Sequence, residues 1–166
     1  MHYAAENNDL ESIKMLFAHQ DVNMNIQGKT GQPPFHYTVA KDRTESLQML
    51  LDCEDIGITT QDNEGKTLLH YAIEKDDIES MKQILTHQNI DVYVTDKNGR
   101  TPLLLSVEYC HCTCIEALLT HKVINIHLKD EQGRTPLEVA ELLLHLLSNE
   151  KYSKYKEKSE RIFEIL

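Results

Sequence analysis

Apolar residues recur three and four apart in short runs that polar turns separate. The runs SIKMLF, SLQMLL, SMKQIL and CIEALL each place their apolar residues on one face of an α-helix. Leu16, Leu50, Ile84 and Leu118 hold the same place in these runs, at a constant spacing of 34 residues. Ahead of each run lies another apolar-periodic segment, and behind it a stretch such as IDVYVTD or INIHLKD that reads as extended. The pattern predicts a unit of tight turn, two short helices and a finger, repeated along the chain.

Punctuation supports the same period. Four of the six glycines, Gly31, Gly65, Gly99 and Gly133, keep the 34-residue spacing, as do His2, His36 and His70. Two places after each histidine position stands a small residue: Ala4, Thr38, Ala72, Ser106 and Ala140. Laid over one another, the segments GQPPFHYTVA, GKTLLHYAIE, GRTPLLLSVE and GRTPLEVAEL resemble the Thr-Pro-Leu-His-x-Ala signature of the ankyrin repeat family. The resemblance covers nearly the whole chain. It implies an all-α fold with short β-turn fingers: an ankyrin-repeat solenoid of stacked helix-turn-helix units.

Each element has a physical reason. A Thr hydroxyl can cap free helix amides, and Pro in the first turn sacrifices no hydrogen bond. Glycine takes positive φ in the finger turn at no steric cost. The small residues let neighbouring helices approach, so that stacking supplies the core.

The units fall at residues 1–27 (partial), 28–61, 62–95, 96–129 and a degenerate 130–149, with 150–166 as a C-terminal capping or linker helix of a single domain. The first unit begins inside its first helix and is not notably polar, which points to a missing preceding segment or a larger parent protein. In the last unit Leu144 fills the helix-breaking position, so EVAELLLHLLSN reads as one longer helix ending near Asn149. Tyr152, Tyr155, Ser159, Ile162, Phe163 and Leu166 then recur near helical spacing. Either this segment caps the stack or it leads into further sequence.

The net charge of −10 argues against a phosphate backbone as ligand, and residues 150–166 are slightly basic, leaving the repeats at −11. No stretch reaches the roughly 20 apolar residues of a membrane span, and the first residues lack the order of a secretory signal. The chain reads as an intracellular, cytoplasmic or nuclear, monomeric module with no cofactor.

Six of the nine histidines follow the repeat: His2, His36 and His70 at the signature position, where the family bonds the neighbouring loop backbone, and His19, His87 and His121 after the second helix. The run Cys110-His111-Cys112-Thr113-Cys114 has ligand types for zinc but no second pair to complete a tetrahedron. In the repeat alignment Cys112 replaces Leu10, Thr44 and Ile78, and Cys114 replaces Ser12, Ser46 and Ser80, so packing accounts for them. A small thiol or zinc protein is the competing reading. Asp76 and Asp77 read as turn residues, since Asp tolerates left-handed geometry. Phosphate-loop, dinucleotide and hydrolase signatures are absent, so no catalytic residue is assigned.

What the resemblance implies is a partner-binding surface of finger tips and first-helix ends. Carried onto this chain, the tips are Lys29, Thr30 and Gln32; Asn63, Glu64 and Lys66; Lys97, Asn98 and Arg100; Glu131, Gln132 and Arg134. The helix ends are Glu6 and Asn7, Ala40 and Lys41, Glu74 and Lys75, and Glu108 and Tyr109. Tyr109 and Arg100, the residue types that dominate binding hot spots, are the expected anchors. The function expected is that of a protein-protein interaction module. The rivals are a scaffold arm of a larger enzyme, channel or ubiquitin-ligase adaptor, and a regulator like the NF-κB inhibitors.

Overall fold

The structure, a computed structural model, describes residues 1–19, 22–53, 55–121, 124–146 and 153–166, with only the backbone of 153–156. They form ten helices: α1 (His2–Asn7), α2 (Leu10–Phe17), α3 (Pro34–Ala40), α4 (Thr44–Leu51), α5 (Leu68–Glu74), α6 (Ile78–Leu85), α7 (Pro102–Glu108), α8 (Cys112–Leu119), α9 (Pro136–Leu146) and α10 (Ser153–Ile165). No strand occurs among the described residues; the IDVYVTD stretch, read as extended, turns at Val92 and Tyr93. The chain divides into two compact units, Met1–Asp91 with α1–α6 and Val92–Leu166 with α7–α10.

Helices begin where capping chemistry starts them. Thr67 and Thr101 sit extended ahead of α5 and α7, and Pro34, Pro102 and Pro136 open α3, α7 and α9. The Thr101 hydroxyl accepts the Leu104 amide at 3.3 Å. Thr135 and Glu138 cap each other, Thr135 Oγ1 accepting the Glu138 amide at 3.3 Å and Glu138 Oε2 the Thr135 amide at 2.7 Å. Asp9 and Asp77 cap α2 and α6 through the Ser12 and Ser80 amides, each at 3.0 Å. α4 has Arg43 at that place and takes its cap from the preceding repeat: Asn8 Oδ1 accepts the Ser46 amide at 3.2 Å and its hydroxyl at 2.7 Å.

Between the helices of each pair one residue turns left-handed: Asn8, Asp42, Asp76 and Cys110, with φ of 54–58°. Asn and Asp suit that conformation, whereas Cys110 holds it against its Cβ. The next residue in the series is Leu144, and there the chain does not turn: α9 runs unbroken through it to Leu146. The expected helix end near Asn149, and Tyr152, lie outside the described residues.

The small residues Ala4, Thr38, Ala72, Ser106 and Ala140 are all buried where first helices pack together, α1 on α3, α3 on α5 and α7 on α9. Phe35, Leu50, Ile73 and Ile84 fill the first unit; Leu104, Ile115, Leu118 and Ile162 fill the second. α10 lies on α8 and α9, burying Ser159 and Ile162 while Phe163 stays 44% exposed. The Cys112 thiol donates to the Lys158 carbonyl at 3.7 Å, and Arg161 pairs with Glu116.

Candidate functional site: finger turns and first-helix ends

An aspartate anchors each of three finger turns. Asp62 Oδ1 accepts the amides of Glu64 and Lys66, Asp96 Oδ1 those of Asn98 and Arg100, and Asp130 Oδ1 those of Gln132 and Arg134, all at 2.8–3.0 Å. Glycine completes each turn at positive φ, and it also admits the neighbouring finger. A Cβ on Gly31 would lie 2.6 Å from the Asn63 nitrogen, and one on Gly99 2.7 Å from that of Glu131. The fingers use that closeness: the Asn63 amide donates to the Thr30 carbonyl at 3.0 Å, and that of Glu131 to Asn98 at 3.2 Å. The backbone of the tips is thereby fixed while exposed side chains project from it.

Behind the tips lies a charged inner layer. In the first unit Lys66 pairs with Glu74 at 2.5 Å and stands 5.8 Å from the centre of the Tyr71 ring. The Tyr71 hydroxyl donates to Asp62 Oδ2 at 2.6 Å and accepts from Gln32 Nε2 at 2.5 Å. Burial, and then its bond to Asp62, raise the Tyr71 phenol far above its ordinary range, so it stays a donor. In the second unit Arg100 grips Asp96 Oδ2 through Nε and Nη2 and reaches Glu108 through Nη1 at 2.7 Å. Arg134 grips Asp130 in the same way and meets the other Glu108 oxygen at 3.1 Å. Burial alone would raise the Asp96 and Asp130 carboxyls, but the arginine and backbone donors hold both below the usual carboxylate range.

The predicted surface residues therefore fall into two sets. Lys29, Thr30, Asn63, Glu64, Lys97, Asn98, Glu131, Gln132 and Tyr109 are exposed, and Tyr109 stacks on His111 at 5.7 Å. Gln32, Lys66, Glu74, Arg100, Glu108 and Arg134 are half-buried in the layer behind. Arg100, expected with Tyr109 to anchor a partner, has a side chain only 15% exposed and already holds two carboxylates. Lys75 is exposed, but its ammonium clamps the end of α3, donating to the carbonyls of Val39 at 3.1 Å and Ala40 at 3.0 Å and pairing with Asp42.

Sequence reasoning passed over Asp62, Asp96 and Asp130, although they keep the 34-residue spacing of the glycines that follow them. It also passed over Tyr71, and over Leu142, which is 42% exposed at the place equivalent to Glu108. The signal for Leu142 was Leu144, whose failure to turn carries α9 past it.

The signature histidines bond the next finger: His2 Nε2 lies 3.1 Å from the Gln32 carbonyl and His36 Nε2 3.2 Å from that of Lys66. Desolvation pushes His36 down to about 4, outweighing its carbonyl bond and Asp62, so the ring is neutral with Nε2 protonated. His70 Nδ1 accepts the Thr67 amide at 3.2 Å. Among the cysteines, Cys114 is fully buried, and burial pushes the Cys110 thiol up, away from the thiolate that a metal would need.

Paired helices, stacked side by side and joined by aspartate-anchored turns, define a helix-turn-helix repeat protein. The chain belongs to the ankyrin-repeat family: the family model for ankyrin repeats (3 copies) matches residues 1–96 and 75–149. Such repeats form protein-protein interaction modules and are generally non-catalytic. A comparison with curated proteins finds no match. Among the described residues, no helix is long and apolar enough to cross a membrane.

Proposed function

We propose that this chain holds a partner protein through its finger tips and first-helix ends: Lys29, Gln32, Asn63, Glu64, Lys66, Glu74 and Lys75 in the first unit, and Lys97, Asn98, Arg100, Glu108, Tyr109, Glu131, Gln132 and Arg134 in the second. One observation carries the reading. The tip backbone is locked by aspartate anchors and by finger-to-finger hydrogen bonds, so exposed side chains of mixed charge are displayed at little further ordering cost. The outer set makes the contact and the half-buried set behind it keeps the display rigid. Tyr109, large, exposed and backed by His111, is the anchor; its replacement by Ala lowers partner affinity by about 1–3 kcal/mol.

The test is photo-crosslinking in cells that express the chain, with a reactive residue at position 29, 97 or 109 and, for comparison, at 14 or 82 on the exposed side of the second helices. Partner adducts concentrated at the first three positions support the reading. Adducts of equal yield at 14 and 82, or only there, overturn it.

A further inference from the structure

The thiols at the start of α8 carry a feature that the finger tips do not use. Cys110 turns left-handed just ahead of α8, a conformation for which the equivalent Asn8, Asp42 and Asp76 are better suited, so the turn itself gains nothing from a cysteine. His111 follows with φ −93° and ψ 77°, close to an inverse γ-turn, and Cys112 opens α8. Two residues fully extended span at most about 7 Å. The bend at His111 shortens that span, which brings the Cα atoms of Cys110 and Cys112 into the range that a disulfide bridges.

Both side chains also point the same way. The Cys110 sulfur lies 3.9 Å from the Ser159 hydroxyl, and the Cys112 thiol donates to the Lys158 carbonyl at 3.7 Å, so the two converge on adjacent residues of α10. Burial raises the Cys110 thiol, and charge on Cys112 raises it further, which puts the two sulfurs within electrostatic reach of each other. Their access differs. Cys112 is part-exposed and meets a reagent from solvent, whereas Cys110, 4% exposed, is reached from within the molecule. Cys114 is fully buried and, two places further along the helix, projects from another face.

We propose that Cys110 and Cys112 form a reversible dithiol–disulfide site whose oxidation loosens α10. The oxidant is a small-molecule disulfide such as glutathione disulfide. The Cys112 thiolate attacks one of its sulfurs, the S–S bond breaks, and one glutathione leaves as thiolate. The Cys110 thiolate then attacks Cys112 Sγ and expels the second glutathione. Two electrons pass from the cysteine pair to the oxidant, and the two cysteine protons end on the two glutathiones. The second attack is intramolecular, so the small thiolate fraction of the buried Cys110 suffices. In the product neither sulfur has a proton to donate, so the Lys158 carbonyl loses its bond and both sulfurs draw away from α10 toward each other. This site is separate from the proposed tip surface and does not depend on it.

The test equilibrates the full chain in buffers of reduced and oxidised glutathione. Remaining thiols are blocked with iodoacetamide in denaturant and mapped by mass spectrometry, and amide hydrogen exchange is followed on parallel samples. Expected is a peptide with Cys110 and Cys112 both protected, two hydrogens lighter, free of glutathione and returned to the dithiol by dithiothreitol. In that form the α10 amides exchange at least fivefold faster, while those of α7 are unchanged. Two variants keep the fold with residues that other repeats use at the same places: Cys110→Asn, as at Asn8, and Cys112→Thr, as at Thr44. Cys110→Asn stops at the mixed disulfide on Cys112, and Cys112→Thr shows no change in α10 exchange with oxidant. Three results would overturn the proposal: both thiols staying reduced in excess oxidised glutathione, only separate glutathione adducts in the unmodified chain, or a disulfide that leaves α10 exchange unchanged.

Discussion

The two units hold an aspartate-anchored finger against a first helix with different chemistry. In the second unit the arginine fork takes both the finger aspartate and the helix glutamate, so Arg100 binds Asp96 and Glu108 at once and Leu105 can be purely apolar. In the first unit Lys66 has one ammonium and spends it on Glu74, which leaves Asp62 Oδ2 to a hydroxyl. Tyr71, at the place equivalent to Leu105, supplies it. Arg134 beside Val139 repeats the second pairing in the sequence, whereas the first finger, with Gln32 and Tyr37, has Gly28 in place of the aspartate. Cation and helix residue therefore vary together: a fork permits an aliphatic neighbour, and a point donor requires a phenol.

The sharpest way to break this comparison is to remove each cation. Arg100→Ala leaves the Asp96 carboxylate, whose side chain is 1% exposed, without its counter-charge, and unfolding free energy falls by about 3–5 kcal/mol. Lys66→Ala leaves Asp62 bonded to Tyr71 and costs about 1 kcal/mol. Chemical denaturation of both variants reads the difference, and equal losses would refute the division of labour.

Acid separates the units next. His36 is neutral when folded, with its pKa pushed down to about 4, and returns to its ordinary value when unfolded, so the unfolded state takes up the proton first. Stability of the first unit is complete above about pH 6.5 and declines by about 3 kcal/mol as pH falls toward 4. Asp96 and Asp130 have depressed values, so the second unit keeps their contribution above about pH 3.9 and loses it as pH falls through the lower folded values. Amide hydrogen exchange followed from pH 7 to 3 should show the first unit opening earlier, and His36→Gln should remove that early loss.

The smallest effect is the most specific. Tyr71→Leu costs about 1–2 kcal/mol, and Lys66→Arg restores part of it by giving Asp62 a fork, with a coupling on the order of 1 kcal/mol. A double-mutant cycle in thermal unfolding measures it, and strict additivity would show that the two positions vary for unrelated reasons.

Much of the fold was legible because it depends on residue type at a fixed period. Gly31, Gly65, Gly99 and Gly133 must supply positive φ wherever a finger turns, and Leu144 betrays a missing turn by its side chain alone. The surface was legible only in outline. Lys97 and Asn98 are exposed, but Arg100 looked like a binding anchor because the sequence does not show that Asp96 and Glu108, four and eight residues away, fold back to hold it. Asp62, Asp96 and Asp130 carried the period yet were passed over, because a sequence does not reveal that an aspartate bonds its own turn. A period identifies what each repeat needs, whereas partner choice among charges is decided by distance.

The cap that Asn8 lends to α4 has a consequence for how the chain assembles. A repeat whose second helix is capped by its predecessor cannot complete that cap alone, so the free-energy coupling between neighbours includes the hydrogen bonds of one side-chain amide as well as buried surface. Melting of the first repeat then propagates into the second as one cooperative event instead of fraying away from the amino end.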